Sequence, residues 1–212
     1  MEKEDQVREL LRTMLMPPPA SVTAGTSLSS LDNSLSEVKL RLGLRRLGLN
    51  LSPGSRPGTF GELCELLSGK PVNKVNQAPH IGLNPLMNAV PGAASIGLDV
   101  QDIGSLPLAI DYWEDEFYTH IFGKSEIAYA VKNSEPRTHF AGFWCAKEAL
   151  RKCDPSFAQV EPAATVIAHE SGGRPFLLWK RPSGEIQLPH ALSISHAGTI
   201  AMAVVMSAGN LK

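Results

Sequence analysis

Residues 140–153 read FAGFWCAKEALRKC, a stretch in which charged residues are set among small and aromatic ones. Drawn as a helix with about 100° between successive residues, the stretch separates into two sides. The apolar side carries Phe143, Ala146, Ala149, Leu150 and Cys153, and the charged side carries Lys147, Glu148, Arg151 and Lys152. Trp144 lies in the middle of the charged side, which favours a helix whose charged side covers another element or a ligand.

A simpler interpretation of the same charges is an amphipathic helix on the protein surface. Glu148 and Lys152, four residues apart, then form an exposed ion pair that contributes roughly 0.3–0.5 kcal/mol to stability. The spacing alone leaves this alternative open.

The segment SIGLDVQDI at residues 95–103 supplies a second carboxylate. Its alternation has the two-residue period of a strand with one buried face. Ile96, Leu98 and Val100 lie on one face, and Gly97, Asp99 and Gln101 lie on the other. If the face with Asp99 meets the helix, the carboxylates of Asp99 and Glu148 converge beside lysines. That combination is suited to a hard divalent metal that carries a phosphorylated ligand.

The bulk composition is that of a soluble globular protein. Of 212 residues, 43% are hydrophobic and 19% are charged, and the formal net charge of -1 leaves no global basic field for nucleic acid. Cys64, Cys145 and Cys153 have no C-x-x-C spacing, which argues against a disulfide framework or a zinc site and fits a reducing compartment. The N-terminal residues lack the pattern of a signal peptide, and no apolar run reaches membrane-spanning length. We therefore expect a cytoplasmic protein without a nucleic-acid or membrane partner.

The chain changes character between residues 68 and 94, where proline, glycine and asparagine recur without a helical or strand period. We therefore predict a first domain at residues 1–69, a linker at 70–94 and a second domain at 95–212. In the first domain, apolar residues recur at helical spacing in three segments, and the prolines at 17–19 end the first of these. This pattern predicts a small helical bundle.

After the linker, helical and strand periods are mixed. The segment DEFYTHIFGKSEIAYAVKN at 115–133 predicts helical turns, and the stretch quoted first predicts a further helix. TVIAH, PFLLWK and ALSISHAGTIAMAVVM predict strands, and the near-continuous apolar run of the last is typical of a central strand. The second domain is therefore predicted to be α+β.

At these residues the chain resembles the 4'-phosphopantetheinyl transferases, which move phosphopantetheine from coenzyme A onto a serine of a carrier protein. IGLDV resembles the family's G-x-D strand, FGKSEIAYA its F-x-x-x-E helix, and WCAKEALRK its W-x-x-K-E-x-x-x-K helix. GGRP resembles the G-[KR]-P turn, and LSISHAGTIAMAVV resembles the closing S-x-S-H strand. Each piece alone is weak, but five pieces in the family's order across residues 95–206 form a specific pattern.

The resemblance implies roles for two carboxylates and two lysines. Asp99 and Glu148 would be ligands of Mg²⁺, with the coenzyme A diphosphate and waters completing the coordination shell. Lys147 and Lys152 would offset charge on the transferred phosphate, so that catalysis depends on positioning and charge stabilisation. In the family's reaction the carrier serine attacks the phosphate attached to pantetheine, and 3',5'-ADP leaves.

The resemblance also implies a coenzyme A site. Ser195 and His196 would bind the phosphates of the nucleotide, Arg174 would line the same pocket, and Lys147 would contribute its charge there. For His196 taken alone, a satisfied histidine at a strand end is the simpler interpretation. The ordered set of motifs is what favours the role in ligand binding.

The chain departs from the family's pattern at three places. Gln101 stands where the larger members of the family have a third acidic residue. Those members also consist of two similar halves, whereas this chain has one. It therefore resembles the short holo-acyl-carrier-protein synthase type, whose sites form between subunits, and this implies a homotrimer. The turn GSLP at 104–107 lacks the positive residue usual in that type, and Phe143 replaces a common arginine. These changes bear on coenzyme A affinity, on carrier docking and on the trimer.

The N-terminal domain resembles an acyl carrier protein. The segment TSLSSLDNSLSEVKL at 26–40 is similar to the carrier's loop before its second helix, which implies Ser34 as the phosphopantetheine attachment point. The simpler alternative is that Asp32 or Ser34 caps the helix, with Glu37 completing a capping box from Ser34.

Charge bears on the choice between these alternatives. Carriers usually present an acidic second helix to a basic transferase. The corresponding segment here carries four basic residues, Lys39, Arg41, Arg45 and Arg46. This favours a carrier-like domain whose role has been lost or changed.

Three functions follow as predictions. The first is an Mg²⁺-dependent holo-acyl-carrier-protein synthase that activates carriers of fatty-acid or polyketide synthesis. The second is a non-catalytic interaction protein built from a carrier-like and a transferase-like domain. The third is a fusion that modifies its own Ser34.

Overall fold

The computed structural model describes residues 3–31, 33–52, 55–69 and 94–207. The chain forms two compact units, one within residues 1–79 and one within residues 80–212. The predicted linker at 70–94 lies outside the described residues except for residue 94. The limits of the two predicted domains therefore stay a prediction.

The N-terminal unit is a small helical bundle, as predicted. Its described helices are α1 (Lys3–Met14), α2 (Ser34–Arg46) and α3 (Phe60–Leu67), with a short 3-10 turn at Ser29–Leu31. α1 ends ahead of the three prolines, which cannot continue a helix. The helices pack around a core that includes Val7, Leu11, Leu40, Leu44, Phe60 and Leu63.

Asn33 caps the start of α2. Its Oδ1 accepts a hydrogen bond from the backbone nitrogen of Ser36 at 2.8 Å, and the helix begins at Ser34. The predicted cap at Ser34, with its capping box to Glu37, is therefore wrong, because Ser34 is already the first helical residue. Asp32 lies outside the described residues.

Arg41, a basic residue of α2, is engaged within its own unit. Arg41 lies 2.9 Å from the carboxylate of Glu37 and donates to the carbonyl oxygens of Leu51 and Ser55 in the following loop. Arg41 therefore contributes less to the exposed charge of the helix than the sequence suggests.

The second unit combines helices with two antiparallel sheets, and this confirms the predicted α+β class. Its described helices are α4 (Glu116–Ile121), α5 (Lys124–Ala130) and α6 (Pro136–Cys153). Its described strands are β1 (Ser95–Asp102), β2 (Thr165–His169), β3 (Pro175–Arg181), β4 (Gly184–Gln187), β5 (His190–Ala197) and β6 (Ile200–Ser207). One sheet has the order β1-β6-β5 and the other has the order β2-β3-β4.

The apolar run near the end of the chain is a central strand, as predicted, only in its second half, because its first half lies at the edge of the sheet. It forms two strands, β5 and β6, joined by a turn at Gly198, whose φ of 57° is a conformation that glycine adopts without strain. β6 lies between β1 and β5. β4 was not predicted, because its four residues are all exposed and carry no apolar period.

β1 turns its small and polar residues toward α6 and its large apolar residues outward. A Cβ atom at Gly97 would lie 1.9 Å from the carbonyl oxygen of Ala149, so strand and helix backbones are in contact. Leu98 and Val100, on the other face, are 48% and 50% exposed. The one buried face that the alternation predicts is therefore the face of Gly97 and Asp99, because the close helix leaves little room there for large side chains. The face that carries Asp99 is the one that meets α6.

α6 is enclosed on nearly all sides. Every residue from 140 to 150 is buried, including Trp144, whose exposed fraction is 1%. The alternative of an amphipathic surface helix is therefore wrong, and the inference that the charged side covers another element is confirmed. Neither α6 nor any other helix in the described ranges is long and apolar enough to span a membrane.

Candidate active site

Asp99 lies on the inner face of β1, where Lys152 reaches it from the last turn of α6. Lys152 Nζ donates to Asp99 Oδ1 at 2.7 Å and to the carbonyl oxygen of Leu98 at 3.0 Å. The aspartate side chain is 15% exposed and the lysine side chain is 51% exposed. The pair therefore stands at the edge of the helix–sheet interface, open to solvent on one side.

Asp99 is also close to the buried thiol of Cys145. Burial, together with the charge and hydrogen bond of Asp99, raises the pKa of Cys145 to about 12, so the thiol stays neutral. Cys145 and Lys152 are about two helical turns apart, so the neighbours of Asp99 define one strip of the α6 surface. Glu148 lies in that strip, three residues after Cys145 and four before Lys152. By helical spacing, the carboxylate of Glu148 is therefore expected on the same side of α6 as these two neighbours of Asp99.

Glu148 is held by a neighbouring arginine. Its side chain is almost buried, and its Oε1 accepts a hydrogen bond from Arg151 Nη1 at 2.9 Å. Arg151 is anchored in turn, because its Nη2 donates to the carbonyl oxygen of Val160 at 2.6 Å. Both Asp99 and Glu148 therefore have a cationic partner, which a metal ion must displace or share.

Lys147, the neighbour of Glu148 in sequence, points elsewhere. Its side chain is buried, and Nζ lies 2.9 Å from Oε1 of Glu126. The same ammonium donates to the carbonyl oxygen of Pro162 at 3.0 Å and to that of Thr165. Burial lowers the pKa of Lys147, and the Glu126 carboxylate opposes that shift. The structure therefore pairs Lys147 with Glu126 and does not bring it to Asp99.

The donor chemistry of Asp99 and Glu148 fits Mg²⁺. This ion binds oxygen and is usually held by one or two carboxylates together with waters and substrate phosphates. In the parts of the chain that are described, no group of three or more His, Cys, Asp or Glu side chains is arranged to hold a metal ion. An Mg²⁺ site here therefore depends on oxygen atoms of a ligand and of water to complete the coordination shell.

Comparison with known proteins decides the family. A sequence model of the 4'-phosphopantetheinyl transferase superfamily matches residues 95–205, slightly more than half of the chain. The chain belongs to this superfamily. Over 114 residues it is 34% identical to a holo-[acyl-carrier-protein] synthase of Sulfurovum sp. (strain NBC37-1), in an alignment that covers 51% of this chain and 92% of the relative.

A second relative is similar over most of the chain. The fatty acid synthase alpha subunit pigJ of Monascus ruber is 26% identical over 201 residues, which cover 92% of this chain. The chain spans only 10% of the length of that relative. Among solved structures, the ACPS-CoA complex of Chronobacterium ammoniagenes aligns with 56% of this chain and 98% of its own, at 24% identity and a TM-score of 0.43.

Besides Lys147, the residues that the transferase pattern assigns to coenzyme A occupy three separate places. His196 lies on the inner face of β5, and the antiparallel register puts it on the same sheet face as Asp99. Ser195 lies on the outer face. Arg174 is exposed in the turn between β2 and β3. Within one copy of the chain, therefore, His196 shares a sheet face with Asp99 and Ser195 does not.

Phe143, which replaces a common arginine of the transferases, belongs to a cluster of rings. Its side chain is buried and packs against Tyr129, whose ring stacks on that of His169 at a centroid distance of 4.2 Å. Burial and then the charge of His196 lower the pKa of His139, and burial and then His139 lower that of His169. The position of the usual arginine is thus filled by a buried ring that packs among other aromatic side chains.

The residues at the other two departures from the transferase pattern take part in local contacts. Gln101 Nε2 donates to Ser105 Oγ at 2.5 Å, and this bond ties β1 to the turn that follows it. In that turn the carbonyl oxygen of Ile103 accepts a hydrogen bond from Arg137 Nη2 at 3.0 Å. A cation from α6 therefore lies beside GSLP, although the turn itself has none.

Glu126 and Arg151 were not assigned a role by the sequence analysis. Glu126 is the acid of the F-x-x-x-E piece, so the motif marks the residue without indicating its partner. Arg151 follows Glu148 by three positions, a spacing at which helical side chains meet. That spacing is a usable signal for the pair.

Proposed function

We propose that this chain transfers 4'-phosphopantetheine from coenzyme A to a serine of an acyl carrier protein, with Mg²⁺ as cofactor. Membership of the superfamily supports the class of reaction. The observation that carries the proposal is the strip of α6 along which Asp99 meets Cys145 and Lys152, with Glu148 between them. Two acids and a lysine on one strip favour a site for one metal ion and one phosphate group.

The proposed roles of these residues are binding and charge stabilisation. Asp99 and Glu148 would hold Mg²⁺, which when bound neutralises charge on the coenzyme A diphosphate. Lys152 has a long side chain at the solvent edge, so it can leave Asp99 for the transferred phosphate and offset its charge there. The carrier serine oxygen bonds to the phosphorus attached to pantetheine and its proton passes to solvent water. The bond from that phosphorus to the bridging oxygen of the diphosphate breaks, and 3',5'-ADP leaves with the bridging oxygen.

We assign the phosphates of the coenzyme A nucleotide to the side of the sheet that carries His196. His196 and Arg174 are both exposed, as groups that bind a soluble anion must be. Ser195 opens on the other face, so its proposed part in the site requires a neighbouring copy of the chain. This requirement is consistent with sites formed between subunits.

A homotrimer is the second part of the proposal, with the outer face of the β1-β6-β5 sheet as its interface. Six large apolar residues of this face are each 37–56% exposed, namely Ile96, Leu98, Val100, Ile200, Met202 and Met206. Contiguous exposed apolar surface is unusual on a monomer and is typical of subunit contacts. Ser195 pairs directly with Met202 on this face, so an interface here would bring Ser195 to a neighbouring subunit.

The third part concerns domains and setting. We propose a carrier-like domain at residues 1–69, a linker at 70–94 and a transferase domain at 95–212, acting in the cytoplasm. The similarity to a fatty acid synthase alpha subunit over 92% of the chain supports a role in fatty-acid or polyketide synthesis. The start of α2 at Ser34 is compatible with an attachment serine at a helix N-terminus.

Intact-mass analysis tests the proposed activity. The chain is incubated with coenzyme A, Mg²⁺ and a panel of apo-carriers, with a parallel sample in EDTA. A phosphopantetheine increment on an added carrier, lost in EDTA, is the expected result. An increment confined to Ser34 instead supports a self-modifying fusion. No increment on any protein supports a non-catalytic interaction protein and overturns the proposal.

A further inference from the structure

A fully buried ion pair lies directly behind the candidate site. The side chains of Glu126 and Lys147 are 0% and 1% exposed, and their charged atoms lie 2.9 Å apart. Two charges removed from water are tolerated at such depth only when their remaining hydrogen-bonding groups are satisfied by the protein. The surroundings of this pair meet that condition on both sides.

Glu126 is satisfied by two backbone nitrogens besides its lysine. Its Oε2 accepts from the nitrogen of Gly123 at 2.7 Å, and its Oε1 accepts from the nitrogen of Ile167 at 3.1 Å. Gly123 precedes α5 and Ile167 lies in β2. One carboxylate therefore joins a helix start, a strand and, through Lys147, the middle of α6.

Lys147 uses all its donors within the protein. An ammonium group has three N–H donors. They are matched by Glu126, the carbonyl oxygen of Pro162 at 3.0 Å and the carbonyl oxygen of Thr165. The ammonium also lies 5.7 Å from the ring centre of Phe122. No donor of Lys147 remains for a phosphate in this arrangement.

The network fixes the rotation of α6 about its own axis. Lys147 and Glu148 are consecutive, so a rotation that moved Glu148 would pull Lys147 away from its acceptors. Lys152 faces Asp99 and Glu148 lies one turn before Lys152 on the helix, whereas Lys147 points to α5 and β2. One residue of the helix thus anchors it from behind while its neighbours form the site.

We propose that Glu126 and Lys147 are positioning residues that set the orientation of Glu148 and Lys152, and that Lys147 does not touch coenzyme A. The inference rests on the proposed function. It revises the role in phosphate binding that the family resemblance implies for Lys147.

Charge-neutral replacement of the pair tests the proposal. Lys147→Met leaves Glu126 buried without its cation, so the melting temperature and the yield of active protein should fall strongly. Glu126→Gln/Lys147→Met leaves no buried charge, and the glutamine can still accept from Ile167 and donate to a freed carbonyl. We expect the double variant to regain most of the melting temperature and to have a kcat within about tenfold of wild type, with an unchanged KM for coenzyme A.

The opposite result identifies Lys147 as a ligand. If the double variant melts near the wild-type temperature but loses about 100-fold or more in kcat, or binds coenzyme A more weakly, its charge acts on the reacting phosphate. Such a loss in a well-folded protein overturns the positioning role. Lys152→Met serves as the matched control, because this variant is expected to have a lower kcat and an unchanged melting temperature.

Chemical labelling of the wild-type chain gives a readout that does not depend on variants or on turnover. An amine-acylating reagent should modify Lys152, and coenzyme A should protect it, whereas Lys147 should stay unmodified with or without coenzyme A. Modification of Lys147 that coenzyme A prevents would overturn the proposal. If no carrier gains phosphopantetheine, the proposed function fails, while labelling and melting temperatures still test the network.

Discussion

Lys152 donates from Nζ to Oδ1 of Asp99 at 2.7 Å, across 53 positions of sequence. The lysine is half exposed, and exposed ion pairs contribute only about 0–1 kcal/mol to stability. Breaking this pair, so that Asp99 can bind a metal and Lys152 a phosphate, therefore requires little free energy. In the proposed mechanism, binding of the metal and the phosphate separates the two groups of this pair.

Gly97→Ala tests the contact that brings Asp99 to α6. The new Cβ would lie 1.9 Å from the backbone oxygen of Ala149, so β1 or the helix must move, at a cost of roughly 1–3 kcal/mol or more. We expect a lower free energy of unfolding in chemical denaturation, with transfer activity reduced as well. The control is Gly172→Ala, where the added Cβ meets nothing within 4 Å and the expected change is within about 0.5 kcal/mol. Equal stability of the two variants would contradict the account.

β1 also shows which structural features the alternation of its sequence predicts and which it does not. Alternation correctly predicts a strand and separates Asp99 from Leu98, because side chains of a strand point to opposite faces. It does not indicate which face meets the helix. The large side chain of Leu98 invites the expectation of burial, but the close approach at Gly97 reserves the inner face for small residues. That approach depends on α6, which lies about 50 residues further along the chain.

Leu98→Glu tests the outer face of the sheet as a subunit interface. A carboxylate there would be buried without a partner in the proposed trimer, so the variant should be monomeric by light scattering while wild type is trimeric. Ile186→Glu, on β4 of the other sheet and 36% exposed, is the matched control and should leave the trimer intact. A monomeric wild type, or a Leu98→Glu variant of unchanged mass, would refute this interface.

Three histidines predict a loss of stability in mild acid. Burial lowers the pKa of His139, His169 and His190 from the ordinary value of 6.5. The unfolded chain then binds more protons than the folded chain just below pH 6.5, so stability is complete above that pH and falls as pH drops toward the folded pKa values. We expect a lower melting temperature at pH 5.5 than at pH 7, and a weaker dependence in His139→Gln/His169→Gln. A wild-type melting temperature that rises over this interval would contradict the assignment.

Ser34→Ala separates the two proposed domains in function. Asn33 supplies the helix cap, so loss of the Ser34 hydroxyl should leave α2 in place, whereas Asn33→Ala should cost about 1 kcal/mol. We expect the Ser34→Ala chain to modify an external carrier at the wild-type rate and to show no increment on itself. Loss of transfer to the external carrier in a stably folded variant would mean that phosphopantetheine passes through Ser34 of the N-terminal unit before it reaches the carrier.

The candidate site was only partly predictable, and Lys147 shows the physical reason. Helical spacing groups Lys147 with Glu148 and Lys152, because a projection treats every charge on one side as equivalent. The structure separates them through Glu126, a partner 21 positions earlier that approaches from another helix. Contacts of this kind depend on the packing of α5 and β2 against α6, which no local period of the sequence encodes.

The account depends most on Asp99 and Glu148 acting on the same ion, and a double-mutant cycle in kcat measures this directly. Asp99→Asn and Glu148→Gln keep the shape of each side chain and remove its charge. If both acids hold one Mg²⁺, either change alone should reduce kcat by about 100-fold or more. The kcat of the double variant should then be close to that of the less active single variant. Losses that multiply in the double variant, or wild-type activity in either single variant, would contradict the shared site.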